Sequence, residues 1–317
     1  MCIISQNYVI FIMSMPKISI IIPTYNSSLF IKRTIQSVIN QTYTDWELLI
    51  IDDQSTDNTI ELINEYVKQD KRIKLLKTAQ NSGGPATPKN IGIENAVGKY
   101  VAFLDHDDEW LPEKLEKQLK VFETSNNNKL GLVSCFINIR NNNDGKIISK
   151  QRGLYKKNAL NMLLQYNFLI TSSCIMTKRE IFKKIGLFDN KFKVSDDWDM
   201  WLRILKSDYE LDYTPECLVN YFVHEQNLSS NREKEIEEFK RLFNKNNNGL
   251  YRMEDSWFLS YYYFKNKQYK LSRKYYLQNI LSKKLSFLIK IKAFAYIILT
   301  FSPKLEYSFQ KVWRKLK

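Results

Sequence analysis

KYVAFLDHDD, residues 99 to 108, carries the pattern on which the fold turns: an apolar run up to Leu104 stops abruptly on Asp105, His106, Asp107 and Asp108. A strand buried on both faces reads as such a run, and open α/β sheets place their ligands beyond the carboxyl ends of their strands. Three upstream runs have the same form: KISIII (17–22), stopped by Pro23, WELLII (46–51), and Ile73 to Leu76. Helical spacings separate them. Ile31, Ile35, Val38 and Ile39 follow Asn26 and Ser27, either of which can cap. Ile60, Ile63 and Val67 follow Asp57, and a short helical stretch spans Lys89 to Ala96. Strands alternating with helices predict an α/β chain with a doubly wound, mostly parallel sheet. Downstream, Pro112 opens a helix that turns Leu115, Leu119 and Phe122 inward. The pattern then changes. Leu130 to Ile139 and Phe168 to Thr177 are predicted strands around a short helix near Leu160 to Leu164, and from about residue 231 the chain is predicted helical. The expected divisions are 16–124, a mixed half at 125–230, and a helical extension at 231–317.

The acids after the fourth strand admit two readings. If the segment stays extended, the period of two points Asp105 and Asp107 to one side, where their carboxylates can converge on a cation. Hard oxygen ligands select magnesium or manganese, and such an ion neutralises a diphosphate as a leaving group. The plainer reading is that these acids cap the helix near Pro112. A second acidic site lies in SDDWDMWLR (195–203). On a helix from Asp196 to Leu205 the inward stripe is Met200, Trp201, Ile204 and Leu205. Steps of 100° put Asp197 near its centre, Asp196 to the side, and Asp199 pointing away. A carboxylate on a buried stripe is costly without a task or partner, although the helix N-terminus favours its ionised form. Its plain alternative is again a helix cap.

PTYN (23–26), IDDQSTDNT (51–59), NSGGPATPKNIGIENAVGKYVAFLDHDD (81–108) and SDDWDMWLR, in this order, resemble the family 2 glycosyltransferases of GT-A fold over roughly residues 16 to 230. Four ordered motifs make the resemblance specific. It implies a nucleotide-sugar donor half at 16–124 and an acceptor and base half at 125–230. Pro23, Thr24, Tyr25 and Asn26 would receive base and ribose, with Tyr25 stacking or packing nearby; the local alternative is a simple turn. Asp53 would accept a hydrogen bond from the base imide, which favours a UDP-sugar, while Asp52 is as well explained by stabilising its own turn. Lys89 stands where the family usually has arginine. It would attract a donor phosphate or pair with a site aspartate, without arginine's bidentate fork. Asp105 and Asp107 would hold manganese or magnesium, and His106 would meet the ribose. Asp197 would remove the proton from the acceptor hydroxyl as it attacks the anomeric carbon, with inversion. His224, in YFVHEQNLSS, would lie near the diphosphate or metal, although Phe222 stands where arginine is common and a histidine after a strand can be purely structural.

The chain has 317 residues, 44% of them hydrophobic, enough for a substantial core. Its four cysteines are scattered, without a C-x-x-C pair, and with only His106 and His224 beside them they predict free thiols in a reducing cytosol rather than a zinc or disulfide framework. The net charge is +14, and residues 265 to 317 account for +13 of it, with 14 Lys/Arg and one acid, Glu306. The body therefore resembles an ordinary cytosolic enzyme, not a nucleic-acid binder. In the tail, Tyr263, Leu285, Phe287, Leu288 and Ile291 interleave with lysines. This predicts an interfacial segment at an anionic membrane surface, with a solvated extension packing on protein as the alternative. Residues 1–14 are apolar but lack a basic n-region and a cleavage site, so no signal peptide is expected and Met13 or Met15 can be the start. Ala293 to Ser302 is about half the roughly 20 residues that span a bilayer, so no transmembrane helix is expected.

The leading expectation is thus an inverting, metal-dependent glycosyltransferase acting on a glycan or lipid-linked acceptor in cell-surface polysaccharide synthesis, peripheral at the inner face of the cytoplasmic membrane. Its rival is a non-catalytic nucleotide-sugar-binding scaffold of the same fold, which would leave Asp197 without a task. A dinucleotide-dependent oxidoreductase shares the alternation, but the G-x-G-x-x-G turn after a first strand is absent.

Overall fold

The computed structural model describes residues 15–302 apart from 153–155, 157, 165–166, 225–226, 228–231, 247–258, 261–262, 265–266 and 282–286. The N-terminal reading at 1–14 and the tail position Leu285 lie outside the described residues, as do the side chains of Phe287 and Leu288.

The first half alternates as the sequence predicts: β1 (Ile18–Thr24), α1 (Ile31–Ile39), β2 (Trp46–Asp52), α2 (Thr59–Gln69), β3 (Ile73–Lys77), α3 (Ala86–Asn95) and β4 (Tyr100–Phe103). β1 pairs in parallel with β2 and β4, and β2 with β3. Pro23 does not end β1. β4 pairs only Ile18 to Ile21, so Pro23 lies beyond its reach and the missing N–H is not needed on that side. Gly92 explains how closely α3 sits on the sheet: a Cβ there would lie 2.6 Å from Ile21 Cγ2 and 2.9 Å from Ile51 Cδ1. Asn26 and Ser27 do not cap α1 with their side chains. The helix starts at Ile31, and the Asn26 carboxamide instead accepts from Thr56 N at 2.8 Å, with its own backbone at φ 47°. Asp57 Oδ1 does meet the first turn of α2, at Thr59 N, 3.1 Å.

The second half continues the same sheet in mixed sense. It adds β5 (Glu109–Trp110), α4 (Lys114–Thr124), β6 (Leu130–Asn141), β7 (Ile147–Gln151), α5 (Ala159–Leu163), β8 (Met176–Lys178), α6 (Glu180–Ile185), α7 (Asp196–Lys206) and β9 (Glu210–Val223). The described sheet runs β3-β2-β1-β4-β8-β6-β9-β5, with β7 on β6. β8 is antiparallel to β4 and β6, whereas β9 is parallel to β6. The expected strand from Phe168 to Thr177 is corrected: only Met176–Lys178 is strand, and Ser172–Cys174 form a 3-10 turn. A strand there would send three consecutive hydroxyls to alternating faces, whereas those of Thr171, Ser172 and Ser173 all bond Asp105 or Asp108. α8 (Arg232–Asn246), α9 (Tyr269–Leu281) and α10 (Phe287–Leu299) follow. Phe239, Leu242 and Phe243 of α8 belong to the main core, while Tyr276, Ala293, Tyr296 and Leu299 form a second, smaller core between α9 and α10. Cys135, Cys174 and Cys217 are free thiols, the first two buried. Among the described residues no helix is long and apolar enough to cross a membrane.

Candidate active site

The carboxyl ends of β1, β2 and β4 converge on a cavity of about 360 Å³. Pro23, Thr24, Tyr25, Asn26, Asp53, His106 and His224 line it together, with Phe30 and the Asn81 to Pro85 loop on other sides. Tyr25 is 43% exposed, a ring free to meet a ligand at the rim. Asp53 is buried and held: Thr78 Oγ1 donates to it at 2.8 Å, Ser82 N at 3.0 Å and Ser82 Oγ at 2.9 Å. Asp52 has the turn role foreseen for it, accepting from Ser55 N at 3.1 Å. His106 Nδ1 lies 3.3 Å from the Pro23 carbonyl, joining the β4 loop to the β1 loop.

Behind β4 the four acidic-loop residues divide. Asp105 accepts from Thr171 Oγ1 and Ser172 Oγ, both at 2.9 Å. Asp107 Oδ2 lies 2.9 Å from His224 Nε2 and 3.2 Å from Asn227 Nδ2. Burial works against the Asp107 charge, but the His224 contact and the nearby imidazoles hold its carboxyl below the ordinary range. Asp108 is fully buried on Ser173 Oγ at 2.6 Å, and burial together with Asp107 and Asp105 pushes its carboxyl well up. Asp105 and Asp107 therefore bond to different partners, and among the described residues no three His, Cys, Asp or Glu side chains are gathered as a metal cage. The donor set still fits a cation at Asp107 and His224. They offer a nitrogen and an oxygen donor side by side, 2.9 Å apart. Among the described residues His224 Nδ1 has no hydrogen-bond partner, and its ring stacks on Phe30 at 4.6 Å.

A second buried group faces Asp105. Lys89 Nζ on α3 pairs with Asp196 at 3.0 Å, both side chains 3% exposed. Burial opposes the Lys89 charge, yet Asp196, Asp105 and Asp197 outweigh it and keep the ammonium protonated. Of the two roles open to Lys89, the structure shows the aspartate pair. Asp197 is buried beside them with one ammonium among three carboxylates. Burial, then Asp196, raises its carboxyl to about 7. Asp199, expected to point away, is itself fully buried and paired with Arg203 at 2.8 Å and Lys245 at 2.9 Å.

Sequence reasoning missed several members of this site. Thr171, Ser172 and Ser173 were hidden in a run read as strand; three consecutive hydroxyls amid apolar residues were the available signal. Arg33 on α1 belongs to none of the motifs quoted above. Its guanidinium lies 3.6 Å over the Phe222 ring and donates to the Asp107 carbonyl at 2.8 Å, so a positive charge stands beside the position where the resembled family has arginine. Asn227 and Glu238 gave no local signal, because Asp107, which Asn227 meets, and residues 193–195, which Glu238 meets, are distant in sequence.

The profile of glycosyl transferase family 2 matches residues 19–186. The putative teichuronic acid biosynthesis glycosyltransferase TuaG of Bacillus subtilis is 34% identical over 227 residues, 69% of this chain and 84% of that protein. The Escherichia coli protein named UDP-Glc:alpha-D-GlcNAc-diphosphoundecaprenol beta-1,3-glucosyltransferase WfgD is 34% identical over 222 residues, 69% of this chain and 82% of its own. Among solved structures, S. aureus TarS 1–349 with UDP-GlcNAc superposes with TM-score 0.58 at 19% identity, covering 92% of this chain and 75% of that one. The Pyrobaculum calidifontis mannosyltransferase PcManGT with GDP-Man and Mn2+ gives 0.60 at 17% identity, covering 94% and 84%. The chain belongs to glycosyl transferase family 2 and is a glycosyltransferase of GT-A-like fold.

Proposed function

We propose that this enzyme is an inverting, metal-dependent glycosyltransferase that moves a sugar from a UDP-sugar to a glycan or lipid-linked acceptor in cell-surface polysaccharide synthesis. The observation that carries it is an open cavity at the β1, β2 and β4 ends together with a buried carboxyl, Asp197, raised to about 7 and sensing the charge of Asp105, the neighbour of the cavity residue His106. Residues 16–124 take the donor. Tyr25 and Asp53 meet the base, Pro23, Thr24, Asn26 and His106 shape the ribose side, and Lys89 sets the electrostatics behind the diphosphate. Asp107 and His224, with Asp105 beside them, hold a manganese or magnesium ion, which when bound neutralises the diphosphate as Lewis acid. Residues 125–230 supply the acceptor side. Asp197 takes the acceptor hydroxyl proton as that oxygen forms its bond to the anomeric carbon; the bond from that carbon to the diphosphate oxygen breaks on the opposite face, and the configuration inverts. A base acts best with a pKa near the working pH, and about 7 meets that condition.

The acceptor, in this reading, is met at the inner face of the cytoplasmic membrane, where residues 265–317 bind anionic lipid. The +13 charge of that segment supports it, as does the outer face of α10. There Ile291, Phe294 and Ile298 are exposed, on the side opposite the buried Ala293, Tyr296 and Leu299. The names of WfgD and TuaG support the acceptor and polymer classes. A thermal-shift screen of nucleotide sugars with and without manganese tests the donor: one UDP-sugar raises Tm only with the metal, by mass action on the folded state. No shift with any donor overturns the proposal.

A further inference from the structure

In the first turn of the helix that carries Asp197, the Asp197 carboxylate itself accepts from Trp198 N at 2.5 Å. Ser195 precedes α7 and makes no side-chain cap bond. The amides just before the helix lie outside its ladder, and leaving them bare in a buried setting is costly. Here a single carboxylate from another element takes the three amides that lead into the helix. Glu238, buried on α8, accepts from Lys193 N at 2.6 Å, Val194 N at 2.7 Å and Ser195 N at 2.8 Å. A carboxylate at a helix N-terminus is also favoured by the helix dipole.

The same turn reaches the donor loop. Lys193 Nζ donates to the Ser82 carbonyl at 2.7 Å, and Ser82 holds Asp53. Gly84 lies against Lys193, where a Cβ would come within 2.8 Å of Lys193 Cδ and 3.2 Å of its Cα. α8 grips α7 at two further places: Lys245 binds Asp199 at 2.9 Å and Asp189 at 2.7 Å, and the Phe239 ring packs on Trp198 at 5.3 Å. α8 lies beyond the residues that match the family profile.

We propose that Glu238 is a positioning residue for the transfer reaction: by gathering the amides of residues 193 to 195 it sets where Asp197 stands relative to the donor loop, so that α8 is part of the active site's frame. This rests on Asp197 being the base. The donor loop keeps its own bonds to Asp53, so loss of Glu238 falls on turnover and not on donor affinity.

The test uses the full chain with Glu238→Gln, Glu238→Asp and, as a control for general α8 packing, Lys245→Met. Displacing a reacting group by an ångström costs up to about a hundredfold in rate. Glu238→Gln therefore lowers kcat by about tenfold or more while the Kd for UDP stays within about threefold. Glu238→Asp, which keeps the charge, recovers part of the loss, and Lys245→Met leaves kcat within about threefold of wild type. Unchanged kcat in Glu238→Gln, a parallel loss of UDP affinity, or an equal kcat loss in Lys245→Met overturns the proposal. The amide proton resonances of Val194 and Ser195 report the clamp independently of turnover. They move upfield in Glu238→Gln, and less so in Glu238→Asp should the glutamine variant not fold; unmoved resonances refute the clamp. A wild-type protein that transfers no sugar instead refutes the function proposed above, and the amide shifts separate the two failures.

Discussion

Asp197 shows how one side chain's chemistry depends on its neighbours. An exposed aspartate is ionised and weakly basic at neutral pH; burial and the Asp196 charge raise this one to about 7. Two outcomes follow for activity. Asp197→Asn lowers kcat by about 10² to 10⁴ while UDP binding persists, measured by radiolabelled transfer and calorimetry. As the proposed base, Asp197 would have to be unprotonated, so kcat is expected to rise with pH through about 7, and that acidic limb to disappear from the residual activity of the variant. For stability the sign is opposite. The unfolded carboxyl loses its proton near 3.8 and the native one near 7, so this group's contribution is fully present below about 4 and is lost as pH rises through 7. Lys89 is the counterweight. Removing it as Lys89→Met leaves Asp196 buried without its ammonium, and breaking such a pair costs about 3–5 kcal/mol, readable from urea denaturation at pH 7.

Elements place these residues by close approach and by exchange of hydrogen bonds. α3 carries Lys89 to the β-sheet because Gly92 lets its backbone nearly touch Ile21 and Ile51. Gly92→Ala overpacks that contact and costs about 1–3 kcal/mol despite alanine's better helix propensity, measured as a fall in the urea midpoint. The turn at Ser172–Cys174 illustrates the converse, a strand-like sequence withdrawn from the sheet. Ser173 Oγ donates to Asp108 and accepts from Asp105 N at 2.9 Å, while the Ser173 carbonyl accepts from Trp110 Nε1 at 2.8 Å. Apolar periodicity cannot foresee this, because the acids that capture the hydroxyls lie over sixty residues upstream. Ser173→Ala leaves the buried Asp108 carboxyl only its longer bonds from Thr171 and Phe222 N and takes the partner of the Asp105 amide, at a cost of about 1–3 kcal/mol in the same assay.

At the scale of the molecule, the tail and the catalytic body have different surfaces. α10 is apolar on two sides: one packs on α9 through Ala293, Tyr296 and Leu299, and the other exposes Ile291, Phe294 and Ile298, continued by Phe301. An outward apolar stripe in a segment of charge +13 suits insertion beside anionic headgroups, each nearby lysine adding about 1 kcal/mol. On the proposed membrane attachment, the protein is expected to co-sediment with phosphatidylglycerol vesicles and not with phosphatidylcholine ones, and Phe294→Asn with Ile298→Asn to weaken the binding. Retention unchanged after deleting residues 265–317 refutes membrane attachment by this segment.

The alternation from β1 to β4, the helix of Asp197 and the acidic loop were all legible in the sequence, because burial on a repeating backbone imposes periods that a linear reading detects. Motif order then carried the family. Asp105, His106, Asp107 and Asp108 also stood out, as acids at a strand's end. What they bond to did not: Asp105 with Thr171 and Ser172, Asp107 with His224, and Lys89 with Asp196 are pairings between distant parts of the chain. Only the tertiary structure decided them, as it decided the Glu238 clamp and the near-neutral carboxyl of Asp197. Periodicity records how a segment meets the core, whereas pairing and pKa depend on which segments meet each other away from water.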